Sequence, residues 1–152
     1  LKSGESQDNT LSVKITLIKI DESWKISRIE QCTDIEKYMI DDLLDQYQAA
    51  MKNMDADTLV SLCAFPYDDD GTSYADAAAM KAAYQTKFAQ TESISVYEII
   101  NRVIDENAGL AQASIHVKKK PSGGDWLEYT DEYHIGVQKV GGAWKVAGIM
   151  KI

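Results

Sequence analysis

The sequence predicts an α+β fold: three helices packed in a four-stranded antiparallel sheet that wraps around them, with a separate β-hairpin ahead of them. Three observations lead there. Apolar residues recur with a helical period between positions 35 and 88. From Ile94 onward, long alternating runs are divided by Asn/Gly and Pro/Gly turns. A shorter pair of alternating runs stands before the first helix.

In chain order, "LSVKITLIKI" puts Leu11, Val13, Ile15 and Leu17 on one face and Ser12, Lys14 and Thr16 on the other, as a half-covered strand does. Asp21 and Glu22 form the turn, and "SWKISRIEQ" returns as its partner. "TDIE", Thr33 to Glu36, has the form of a capping box, in which the hydroxyl and the carboxylate satisfy free amides at a helix start. Ile35, Met39 and Leu43, flanked by Ile40, Leu44, Tyr47 and Met51, make the apolar stripe of a helix running to about Asn53. "DADTLVSLCAF" reads as a short second helix capped by Asp55 or Asp57 and ended by Pro66. After the turn "YDDDGTS", Met80, Tyr84 and Phe88 stand at i, i+4 and i+8 on a third helix. Four strands follow, with turns at Asn107 to Gly109, Pro121 to Gly124 and Gly141-Gly142. Helices followed by consecutive strands give an antiparallel sheet wrapped on the helices.

Composition excludes several classes. With 45% hydrophobic residues in 152, the chain can bury one proper core, so disorder is not the expectation. A net charge of −8, with "VKKKP" as the one basic run, argues against nucleic acid and against an anionic membrane surface. No apolar run is long enough for a membrane-spanning helix. The polar opening "LKSGESQDNT" without an initiator Met fits a trimmed or processed protein, and an exported or cell-surface location is favoured over a cytoplasmic one. Cys32 and Cys63 are expected as free thiols, because the helix between them holds its ends about 30 Å apart.

The hairpin has a counterpart at the other end of the chain. Aligning Trp24 with Trp144 without a gap also matches Ile15 with Ile135, Lys19 with Lys139, Lys25 with Lys145 and Ile29 with Ile149. Residues 1–33 therefore read as the tail of a preceding repeat, and 34–152 as one complete domain. Because the hairpin's apolar face has no helices of its own, it is expected to pair with another molecule, as in a homodimer, or to extend a sheet edge.

The order of elements, the junction "QAAMKNMDADTLVSL" and the closing "GGAWKVAGI" resemble the nuclear transport factor 2-like superfamily, which includes the ketosteroid isomerases and the SnoaL-like proteins. The resemblance covers about three quarters of the chain. It implies a cone with a pocket at its open end. It also implies one of two roles: isomerase, dehydratase or cyclase chemistry on apolar rings, or noncatalytic binding, often in exported bacterial proteins. Fold does not choose between them.

Proton abstraction beside a carbonyl needs a base and an oxyanion donor facing one substrate. Strand parity puts Leu127, Tyr129, Asp131, Tyr133 and Ile135 on one face, so Asp131 as base with Tyr129 or Tyr133 as donor is the candidate catalytic set. Asp131 corresponds to Leu11 in the earlier copy, so the fold itself does not require a carboxylate there. Tyr84, Phe88 and Ile135 are the candidate ligand-binding residues. His116 and His134 fall on polar faces, and neither has ligands at a recognised metal spacing. "DDDG" lacks the alternating ligands and closing glutamate of a calcium loop, so neither metal nor cofactor is expected. The favoured function is a noncatalytic module that binds a small apolar ligand or a protein; the alternative is an isomerase or lyase working on an apolar ring.

Overall fold

The computed structural model describes residues 13–31 and 35–152. They form two compact units, one containing the hairpin and the other spanning Glu36 to Ile152.

In the first unit, β1 (Val13–Ile20) pairs antiparallel with β2 (Ser23–Gln31), and Lys19 stands opposite Trp24. Asp21 and Glu22 both adopt positive φ, which matches the tight two-residue turn the sequence places there.

The second unit begins within α1 (Ile35–Lys52), whose buried face is Ile40, Leu43, Leu44, Tyr47 and Ala50. Of the expected capping box, Thr33 lies outside the described residues. The Glu36 carboxylate is bound by Lys139 Nζ at 2.8 Å and by the indole N–H of Trp144, so it ties the helix start to the end of the sheet. The short helix α2 (Ala56–Ser61) is capped by Asp55, which accepts from the Thr58 amide at 3.0 Å. Helix α3 (Ala77–Ala89) buries Met80 and Tyr84 and is capped by Asp76. Among the described residues no helix is long and apolar enough to cross a membrane.

The sheet is larger than predicted and is mixed. Six strands lie in the order β4-β3-β8-β7-β6-β5: β3 (Cys63–Asp69), β4 (Thr72–Tyr74), β5 (Thr91–Asp105), β6 (Leu110–Pro121), β7 (Leu127–Val140) and β8 (Ala143–Lys151). The last four are the predicted antiparallel meander. The additional pair, β3 and β4, occupies the stretch read as the end of α2 and a turn. Strand β3 runs parallel to β8, which makes the sheet mixed. Pro66 does not end a helix; it sits inside β3. It is tolerated because β4 pairs only with Tyr67 to Asp69, while the β8 register skips from Cys63 to Asp68, so no ladder requires its missing N–H.

Helices and sheet close on one core in which Ile40, Leu44, Tyr47, Leu59 and Met80 pack with Ile99, Ile115, Ile135, Val137 and Val146. Arg102 on β5 fastens the helix to the edge strand: its guanidinium bonds Asp41 at 2.8 Å and Asp45 at 2.7 Å, while Gln48 of α1 accepts the Ile99 amide at 2.9 Å. Cys63 is a buried free thiol; Cys32 lies outside the described residues.

Candidate functional site

A cavity of about 400 Å³ opens between the helices and the concave face of the sheet. Its size suits a small organic molecule. Met51 of α1, Tyr84 and Lys87 of α3, and Asp69 at the end of β3 form one side. Tyr97, Ile115, Val117, Lys119, Tyr129, Tyr133 and Ile149 of the sheet form the other. A smaller recess of about 100 Å³ shares many of these residues and adds Phe88, Thr91 and Ile94.

The wall is built by local periodicity. Tyr84 and Lys87 are three apart on α3 and so project from the same side of the helix. Residues 115, 117 and 119 alternate inward on β6, opposite 131, 129 and 127 of β7, so cross-strand partners share the concave face. Tyr84 packs edge-on against Phe88, with ring centroids 5.7 Å apart, and Lys119 lies 6.0 Å above the Tyr129 ring.

Asp69 is the polar centre. One carboxylate oxygen, Oδ2, accepts from Lys87 Nζ at 2.6 Å and from the Tyr84 hydroxyl at 3.1 Å. Burial pulls the Lys87 ammonium down, but its hydrogen bond and attraction to Asp69, with Tyr74 adding, more than offset this and hold it above an ordinary lysine. Behind Tyr84, the hydroxyls of Tyr47 and Tyr67 meet at 2.8 Å, both fully buried. Burial raises all of Tyr47, Tyr67, Tyr84 and Tyr97, with the Asp69 charge adding at Tyr84, so these phenols stay protonated across the physiological range. The site therefore offers neutral phenols and fixed ammonium groups on an apolar lining.

Of the residues the sequence singles out, Tyr84, Tyr129 and Tyr133 stand in the wall of the main cavity and Phe88 in the adjoining recess. Ile135 is part of the core, 1% exposed. Asp131 shares the face of Tyr129 and Tyr133, as parity requires, and is ion-paired with Lys151 at 2.8 Å. Burial, followed by the Asp131 charge, raises Tyr133. His116 lies between Glu128, at 3.1 Å, and Glu98, at 3.9 Å; His134 is exposed. No cluster of three His, Cys, Asp or Glu suited to a metal ion occurs among the described residues.

Sequence reasoning missed Asp69. It belongs to the run "DDDG", read as a solvated turn, yet from Phe65 onward the strand alternates, with Phe65, Tyr67 and Asp69 turned inward and Pro66, Asp68 and Asp70 facing solvent. That alternation was the available signal. It was masked by treating Pro66 as a terminator.

The unit is thus a helix-filled, curved-sheet domain with a tyrosine-lined cavity. Solved structures of this architecture match it. A candidate aromatic ring hydroxylase from Novosphingobium aromaticivorans is 17% identical, with a TM-score of 0.65 over 80% of this chain and 90% of that one. A candidate scytalone dehydratase from the same organism is 16% identical, with a TM-score of 0.66 over 77% and 83%. A nuclear transport factor 2-like protein of unknown function from Pseudomonas putida is 17% identical, with a TM-score of 0.61 over 79% and 87%. No protein-family profile matches the chain, and no curated protein matches it by sequence. The fold is that of the nuclear transport factor 2-like proteins.

Proposed function

We propose that the 36–152 unit is a noncatalytic small-ligand-binding module whose ligand carries an apolar ring and an acidic or carbonyl oxygen. The ring lies among Tyr97, Val117, Tyr129 and Ile149, and the oxygen faces Lys119 and Lys87. The observation that carries this reading is the state of Asp69. It is the carboxylate of the cavity wall, and one of its oxygens already takes both an ammonium and a phenol donor. A general base needs a lone pair aimed at the substrate proton, and this oxygen already directs its lone pairs at Lys87 and Tyr84. The resemblance also supports placing the module in an exported bacterial protein.

A second reading, an isomerase or lyase with Asp131 as base and Tyr129 or Tyr133 as donor, draws on two points. Both tyrosines line the cavity, and two structural neighbours are candidate dehydratases. It requires Asp131 to release Lys151.

Native mass spectrometry of the purified protein, followed by incubation of any retained molecule with fresh protein, separates the two. Recovery of that molecule unchanged supports the binding module. Its conversion, lost in Asp131→Asn, overturns the noncatalytic reading in favour of the second.

A further inference from the structure

The two hairpins share more than sequence. With Trp24 set on Trp144, every cross-strand pair of the first hairpin falls on a pair of the second. Val13 opposite Gln31 falls on Tyr133 opposite Lys151, Ile15 opposite Ile29 on Ile135 opposite Ile149, and Lys19 opposite Trp24 on Lys139 opposite Trp144. The register shift is at the same place in both, between Thr16 and Leu17 and between Gly136 and Val137. The turn residues also agree, with positive φ at Asp21 and Glu22 and at Gly141 and Gly142. A bulge is a specific local feature, and two unrelated amphipathic hairpins have no reason to place it at one point of one register.

The burial of the two hairpins is opposite. Ile15, Leu17, Ile26 and Ile29 are between 50 and 61% exposed, whereas their counterparts Ile135, Val137, Val146 and Ile149 are at most 9% exposed. Trp24 is 68% exposed, whereas Trp144 binds Glu36 of α1 together with Lys139. In the complete unit, β7 lies against β6 and β8 against β3, and these two neighbours hold the hairpin over the helices.

We infer that Val13–Gln31 is the closing hairpin of a second domain of the same fold, and that its apolar face is a docking surface for the rest of that domain, encoded upstream in a longer polypeptide. The occupant is identified by what the equivalent hairpin touches. It supplies an antiparallel strand beside β1, a parallel strand beside β2, a helical apolar face over Ile15 and Ile29, and a carboxylate in a first helical turn for Trp24 and Lys19. A second copy of this chain does not fit, because its own β7 and β8 already fill the place between β3 and β6. At the 120-residue offset of the two tryptophans, the carboxylate falls about 85 residues ahead of Leu1.

The test is hydrogen exchange on the 13–31 segment in this chain and in the natural polypeptide extended upstream by about 120 residues. The inference expects a three-helix, four-strand pattern in the added sequence, which the hairpin completes to six strands, with an acidic residue at the stated position. It also expects exchange of the segment about 100-fold slower in the longer chain, with much of that protection lost in Trp24→Ala. A natural sequence lacking this pattern overturns it, as does equal exchange in the two chains. Protection already present in this chain and rising with its concentration also overturns it, because the hairpin would then be covered by a second copy or a sheet edge.

Discussion

Replacing Tyr47 by Phe should destabilise the 36–152 unit more than replacing Tyr67 by Phe, although each substitution removes one hydroxyl from the same 2.8 Å contact. Both side chains are fully buried, so a hydroxyl left without a partner has no water to turn to. Tyr67→Phe strands less: Tyr47 retains an interaction with Tyr84, whose proton affinity burial and Asp69 raise and a hydrogen bond with Tyr47 lowers. Tyr47→Phe leaves the Tyr67 hydroxyl without that contact. Stranding a buried hydroxyl costs about 1–3 kcal/mol, so Tyr47→Phe should cost about 2 kcal/mol and Tyr67→Phe about 1 kcal/mol. The double variant removes donor and acceptor together and should cost no more than Tyr47→Phe alone, a coupling of about 1 kcal/mol. Urea denaturation followed by circular dichroism, at unchanged m-value, measures all three, and the larger effect corresponds to roughly 6–10 °C in melting temperature. Equal single costs that simply add in the double variant would refute the reasoning.

Other consequences are independent of that pair. Hydrogen bonds from Lys139 and Trp144 hold Glu36 below the usual carboxylate range; its stabilising effect is therefore present above the unfolded value near 4.5 and is lost as pH falls through the lower folded value. The melting temperature of Glu36→Gln should accordingly lie below that of the parent at pH 7 and converge with it toward pH 3; a constant gap would contradict the assignment. Gly148 brings β8 against β3, and a Cβ there would lie 2.7 Å from the Asp68 carbonyl oxygen, so Gly148→Ala should cost about 2–4 kcal/mol in denaturant unfolding. Burial pushes the Cys63 thiol up to about 12, so in a Cys32→Ser background iodoacetamide at pH 8 should label the protein only as fast as it unfolds.

Much of this fold is legible in the sequence because its signals are local. The α1 stripe from Ile40 to Tyr47, the α3 spacing of Met80, Tyr84 and Phe88, and the glycine turns at 109 and 141–142 each report one element from neighbouring residues. Strand β3 is different. Its identity comes from a parallel pairing with β8, some 80 positions away, and from a register gap that spares Pro66, neither of which leaves a local trace. The site divides in the same way. Parity on β7 was enough to bring Tyr129 and Tyr133 to one face, but the Lys151 partner of Asp131 and the Lys87 partner of Asp69 come from other elements, β8 and α3. Pairing of charges across elements is a property of the assembled fold, so the sequence did not show that both carboxylates are already paired.

The most direct test of the cavity as a ligand site is a fluorescence titration with 8-anilinonaphthalene-1-sulfonate, an aromatic anion of suitable size, on the parent and on Lys119→Met. The account predicts saturable binding at one site per chain, weakened about tenfold by loss of a charge-assisted contact worth about 1.4 kcal/mol. Absence of saturable binding, or affinity unchanged in Lys119→Met, would contradict it.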